Sequence, residues 1–92
     1  MAEKGSVQSL DRAFDIMEAL CAARDGLPIH MLSEQTGLHK STVHRLLSSM
    51  AARGYVCKDE YSGRYRMTTK LYALSGQVVD HLDLVQIARH PM

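Results

Sequence analysis

The sequence predicts a mainly α-helical fold with one small β-hairpin: three helices lead into the hairpin and a further helix follows it. Three observations predict this. Apolar residues recur at helical spacing in the segments before Gly54; β-rich runs flank a glycine-bearing turn at Gly63; and helical spacing returns from about Thr69. At 92 residues, the chain has room for one small domain and an extra helix, with no second full core. Hydrophobic residues make up 46% and charged residues 23%, near the globular average, so the chain should fold.

The first helix has Ser9 as its expected cap, with Asp11 and Asp15 near its positive end. Leu10, Ala13, Phe14, Met17, Leu20 and Cys21 share one face, which Ile16 widens. Asp25-Gly26-Leu27-Pro28 ends it, because glycine accepts a left-handed turn and proline cannot continue the ladder. A two-turn helix follows over about residues 31–36, carrying Met31, Leu32 and Gln35 before Gly37 stops it. The third helix runs over about residues 40–53, with Val43, Leu46, Leu47 and Met50 as its apolar stripe and Gly54 beyond its end. At 100° per residue the opposite side carries Ser41, Arg45 and Ser48, flanked by Thr42, His44 and Ser49.

Tyr55-Val56-Cys57-Lys58 and Arg64-Tyr65-Arg66-Met67 around the turn over residues 59–63 read as a hairpin. A period of two turns Tyr65 and Met67 inward and Arg64 and Arg66 outward, extending the polar side of the third helix. In the last segment Leu71, Leu74, Val78, Leu82 and Val85 fall near a seven-residue beat, with a break expected at Leu82-Asp83. Twelve of the final 22 residues are apolar and three are charged, so this segment is expected to need a partner.

Charge is uneven along the chain although the formal net charge is only +1. Residues 1–37 carry three basic against six acidic side chains, residues 38–70 seven against two, and residues 71–92 one against two. A local positive segment is what a phosphate-facing surface needs, since attraction follows the local field and not the total.

Helix, short helix, glycine-containing turn, longer helix and hairpin, in that order, is the layout of a winged helix-turn-helix. Its third helix has the makeup of a recognition helix: short polar side chains able to approach base edges, around one long donor. The candidate DNA-binding residues are Lys40, Ser41, Thr42, His44, Arg45, Ser48 and Ser49 on that helix and Arg64 and Arg66 on the wing. Arg45 is the expected base reader, because its planar fork matches guanine O6 and N7. Lys40 and the free N–H groups at the helix start suit backbone phosphate, and the Ser62-Gly63-Arg64 tip is expected near backbone or minor groove. Two-fold pairing on a partly palindromic double-stranded site, aided by the first and linker helices, is expected because one protomer offers few base contacts.

Val7-Gln8-Ser9-Leu10-Asp11-Arg12-Ala13, Thr36-Gly37-Leu38-His39-Lys40-Ser41-Thr42-Val43-His44-Arg45-Leu46-Leu47, Arg53-Gly54-Tyr55-Val56 and Gly63-Arg64-Tyr65-Arg66 together resemble the N-terminal domain of the IclR family of bacterial transcriptional regulators. The resemblance covers about residues 7–90. It implies operator binding as a dimer or tetramer, and a small-molecule effector sensed through a separate domain absent from this chain. The domain reading is then an arm over residues 1–8, the winged helix-turn-helix over 9–68, and over 69–92 a linker helix with the start of the missing effector-binding domain. His30 departs from the family pattern where a serine or threonine cap is usual, and His39 where a small residue or proline is common.

Other chemistries lack their residues. Lys40-Ser41-Thr42 looks like the end of a phosphate-binding loop without its glycines, and no G-x-S-x-G elbow exists. His39 and His44 diverge around a helix, so no metal site is expected, and no cofactor or catalytic residue either. Cys21 and Cys57, outside any C-x-x-C pair, read as small buried hydrophobes, and Tyr55, Tyr61, Tyr65 and Tyr72 as packing residues, with Tyr61 placed at the hairpin tip. No signal peptide, myristoylation glycine or membrane span is visible, which makes the cytoplasm the expected location. The competing reading is a winged-helix protein-interaction or dimerisation module without specific DNA binding.

Overall fold

In the computed structural model, which describes residues 7–81, the element order is α1 (Gln8–Ala22), α2 (Ile29–Thr36), α3 (Lys40–Ala52), β1 (Val56–Lys58), β2 (Tyr65–Met67) and α4 (Lys70–His81). The mainly α fold with a small hairpin is the one expected. The break expected at Leu82-Asp83 lies outside the described residues.

The core is built from one stripe on each element. Ile16 and Leu20 of α1, Leu32 of α2, Val43, Leu47 and Met50 of α3, Val56 of β1 and Tyr65 of β2 form one buried cluster with Leu27. Ile16, Leu32, Val43 and Leu47 are sealed from solvent, and burying such a side chain is worth about 1.5–3 kcal/mol each. On α3 the buried stripe is the expected one, with Leu46 half-buried beside it.

On α1 it is so only in part. Leu20 and Ile16 are buried and Ala13 and Met17 half-buried as expected, but Leu10, Phe14 and Cys21, about 120° round the helix from Ile16 and Leu20 by the 3.6-residue repeat, are exposed. The apolar face of α1 is wider than the core can cover, and only the approach of α2, α3 and β2 decides which part of it is buried. Nor does Ser9 cap α1. The helix starts two residues earlier, with extended Val7 as its cap and the Val7 carbonyl accepting from the Leu10 and Asp11 N–H groups. Likewise α2 begins at Ile29, earlier than expected, because the Pro28 carbonyl already accepts from Met31 and Leu32. His30 is therefore inside the helix and does not occupy its cap.

The α2–α3 turn is held by Gly37, whose φ of 77° suits a left-handed helix end, and by Thr36, whose Oγ1 donates to the Leu32 carbonyl at 2.6 Å. Ser33 Oγ donates to the Leu38 carbonyl across the same turn.

The two strands pair antiparallel, with Val56 opposite Met67, Cys57 opposite Arg66 and Lys58 opposite Tyr65. Cys57 therefore shares the outer face with Arg66. Both cysteines are exposed, contrary to expectation: Cys57 by this register and Cys21 because its stripe of α1 is the one left outside. Of the tyrosines, Tyr65 is buried and Tyr55 half-buried, but Tyr61 and Tyr72 are exposed rather than packed.

The sequence reading missed a third partner of the hairpin. Leu27, in the α1–α2 connection, exchanges both backbone hydrogen bonds with Tyr65, at 2.9 and 2.8 Å, so the wing is pinned to the helical layer. Gly26 beside it has a φ of 82°, and a Cβ there would lie 2.5 Å from the Tyr65 carbonyl oxygen. Gly26→Ala is expected to destabilise the domain by about 1–3 kcal/mol, combining backbone strain with this clash; urea unfolding of the two proteins measures it, and an unchanged midpoint would show that the close approach is dispensable.

Candidate nucleic-acid interface

Burial of Val43, Leu47 and Met50 turns the other side of α3 outward. Lys40, Ser41, His44, Arg45, Ser48 and Ser49 are all exposed, while Thr42 is half-buried at the edge of the strip. None of the exposed side chains on this strip is longer than a histidine apart from Lys40 and Arg45. Such a surface lets a helix approach another molecule closely and leaves two cations to make long contacts.

At the N-terminus of α3, His39 is extended and no side chain caps the helix. First-turn N–H groups there keep their positive partial charge for an outside partner. A shallow polar concavity surrounds this end, lined by Ser33, Glu34, Gly37, His39, Lys40 and Ser41 among others. Glu34 contributes the one carboxylate of that lining. An anion bound there would meet Lys40 and the N–H groups with Glu34 at the rim.

The wing is organised by Asp59, which the sequence reading did not single out. Its Oδ2 accepts from Ser62 Oγ at 2.8 Å and its Oδ1 from the Tyr61 N–H at 3.2 Å. Its backbone pairs with Arg64 and Gly63 at 2.8 and 2.7 Å. The Ser62 hydroxyl, followed by the Tyr61 N–H, holds the Asp59 carboxyl below the usual carboxylate value of 3.8. This is an Asx-type turn, and its sequence signal was Asp at the first turn position with Ser three residues on. The turn projects Tyr61, which is 100% exposed, at the hairpin tip.

The two wing arginines separate. Both are exposed, as expected. Arg64, however, donates from Nη1 to the Gly26 carbonyl at 3.2 Å and so braces the wing against the α1–α2 connection. Arg66 lines a cleft with Arg24 and Cys21 of the α1 end and Leu71, Tyr72 and Ser75 of α4, a cleft to which α3 contributes no residue. The expectation that both arginines simply extend the α3 surface is therefore too coarse.

Among the described residues, no group of three or more His, Cys, Asp or Glu side chains is placed to hold a metal ion, and no helix is long and apolar enough to cross a membrane.

Comparison with known proteins matches residues 9–60 to the IclR helix-turn-helix domain. The chain is 42% identical over 81 residues to the DNA-binding transcriptional repressor YiaJ of Escherichia coli K12, covering 88% of this chain and 29% of that protein. It is 36% identical over 83 residues to the HTH-type transcriptional regulator KdgR of Dickeya chrysanthemi, covering 90% and 27%. Among solved structures, an IclR family transcriptional regulator from Brucella abortus superposes with a TM-score of 0.78 at 24% identity, covering 94% of this chain and 33% of that one, which shows the shared fold. The chain thus spans about a third of the length of the relatives it matches.

The Asp59 geometry sets a pH dependence for the wing tip. A depressed folded-state pKa means the stabilisation is fully present above the unfolded value of 3.8 and is lost as pH falls through the lower folded value. In an NMR titration the Tyr61 and Ser62 amides should shift together with Asp59 below that value, and Asp59→Ala should abolish the transition. Amide shifts that persist in the variant would assign the transition to another group.

Proposed function

The chain belongs to the IclR family, whose helix-turn-helix domain it carries, and on that premise we propose that it binds double-stranded operator DNA sequence-specifically, as the DNA-binding part of a bacterial transcriptional regulator. In this reading α3 lies in the major groove and the hairpin meets backbone or minor groove. The observation that carries it is the outward strip of α3, small polar side chains around Arg45, held out by the burial of Val43 and Leu47.

Roles follow from reach and charge. Arg45 reads a base edge, and Ser41, Thr42, His44, Ser48 and Ser49 make the short contacts around it. Lys40 and the uncapped start of α3 take a phosphate. On the wing Tyr61, Arg64 and Arg66 are the candidates for backbone or minor-groove contact, Arg64 while still braced on Gly26. The bacterial cytoplasm is the setting this implies, and a small-molecule effector would act through a part of the protein outside these 92 residues.

The DNA-binding form is proposed to be a homodimer. One recognition helix offers too few base contacts for useful specificity, and two-fold pairing matches a partly palindromic site. The stripe of α1 that the core leaves outside supplies a surface for it: Leu10 is 53% and Phe14 47% exposed. These two, with Met17, wall an apolar groove completed by Met50 and Tyr55. Such a stripe is the kind of surface that a second copy covers.

Sites selected by the protein from a random duplex pool provide the test. Arg45→Ala should flatten the preference between selected and random duplex by roughly 10- to 100-fold, the worth of one bidentate base contact. Lys40→Ala should weaken both duplexes alike. Identical profiles for the two variants would remove this division of roles, and a protein whose self-association ignores salt while no duplex is retained would favour the protein-interaction module instead.

The dimer has its own measurement. Phe14→Ser should leave the far-ultraviolet circular dichroism unchanged, shift sedimentation toward the monomer and reduce affinity for the two-fold site more than for a half-site. Unaltered sedimentation would place the pairing surface elsewhere.

A further inference from the structure

The last turn of α3 contains no basic residue. Three of its last four carbonyls are nevertheless engaged within the chain end. Ser49, Met50 and Ala51 accept from the Arg53, Tyr55 and Gly54 N–H groups at 3.3, 2.9 and 2.9 Å. Just beyond the helix, two acceptors turn to the far side of the hairpin: the Arg53 carbonyl takes Lys70 Nζ at 2.6 Å, and the Gly54 carbonyl takes Thr68 Oγ1 at 2.7 Å. The same segment closes on itself, since the Thr68 N–H donates to the Tyr55 carbonyl at 2.8 Å and the Lys70 N–H to Thr68 Oγ1 at 3.2 Å. Lys70 Nζ also stands 4.6 Å from the centre of the Tyr55 ring.

An ammonium at this place meets the negative end of the α3 dipole, a position that a helix usually fills from its own last turn. Here it comes from the first residue of α4. The joint between α4 and the body is concentrated there: further along, Leu71 and Leu74 are half-buried, but Tyr72, Val78 and Val79 are exposed. A displacement of the start of α4 therefore pulls first on the Arg53–Gly54 carbonyls.

We infer that Lys70 is a positioning residue for DNA reading, which caps the C-terminal end of α3 from the neighbouring helix and ties the placement of α3 to that of α4. This rests on the reading of α3 as the DNA-reading element. Lys70 acts through the Arg53 carbonyl and the Tyr55 ring, and no contact of its own with DNA is required.

The experiment compares the full chain with Lys70→Met, which keeps the aliphatic stem, and with Lys70→Arg, which keeps the charge. Amide hydrogen exchange of Arg53, Gly54 and Tyr55 is followed in the free protein, and affinity for a selected duplex is measured across a salt series. The methionine variant should exchange faster at these three amides and bind about 2- to 5-fold more weakly, the worth of a helix-end charge, with an unchanged salt slope, and arginine should restore both. A salt slope shallower by about one in the methionine variant, with exchange unaffected, would make Lys70 a phosphate contact and overturn the inference. Faster exchange with unchanged affinity overturns it too. If the wild-type chain retains no duplex, the reading of α3 fails by itself, whereas the exchange comparison still decides whether Lys70 holds the helix end.

Discussion

Burial of Val43 and Leu47 in the cluster with Ile16 and Leu32 is the constraint on which the rest of the molecule depends. All four are closed to solvent, so α3 cannot roll about its axis without exposing apolar surface or pressing Arg45 and the serines into it. The cost of either is several kcal/mol by ordinary burial and desolvation magnitudes. The orientation of the polar strip is thus a consequence of core packing, and no hydrogen bond on the strip itself is needed to maintain it. A surface fixed from behind in this way keeps its side chains free for another molecule.

A second layer of constraint acts through backbone and short polar contacts. Strands of three residues make a hairpin too small to persist alone. This one persists because Tyr65 is buried in the core, because Leu27 pairs with Tyr65 as an additional extended segment, and because Arg64 reaches the Gly26 carbonyl. Asp59 then shapes the tip locally. The wing therefore has a rigid root set by tertiary contacts and a tip set by four or five consecutive residues, and the two respond to different perturbations.

Legibility differed between the elements for physical reasons. The α3 stripe was readable because its apolar set is narrow and its other side is uniformly polar, which leaves one way to pack. The α1 face was readable only in part: Leu20 and Ile16 on it are buried, but Leu10, Phe14 and Cys21 extend it as equally apolar residues, and periodicity does not say which edge of a wide face the core covers. Cys57 was misread as buried although alternation already put Arg66 outward; the register that sets Cys57 beside Arg66 joins residues on two strands and is not written in either alone. Asp59 was overlooked because the turn was identified by its glycine, while the hydrogen bonds that organise it belong to Asp59 and Ser62.

From the sequence by itself came the order of elements, the polar face of α3 with Arg45 at its centre, the basic middle segment and the family likeness, all of them properties of residues near one another along the chain. Tertiary structure alone decided which side of α1 was left uncovered, that Leu27 would join the hairpin, that Arg64 would brace Gly26 while Arg66 faced α4, and that Lys70 would close the end of α3. The bonds of Lys70, Leu27 and Arg64 join groups distant in sequence, from 17 residues apart for Lys70 and Arg53 to 38 for Arg64 and Gly26. Such contacts depend on how whole elements dock, and local periodicity holds no record of docking.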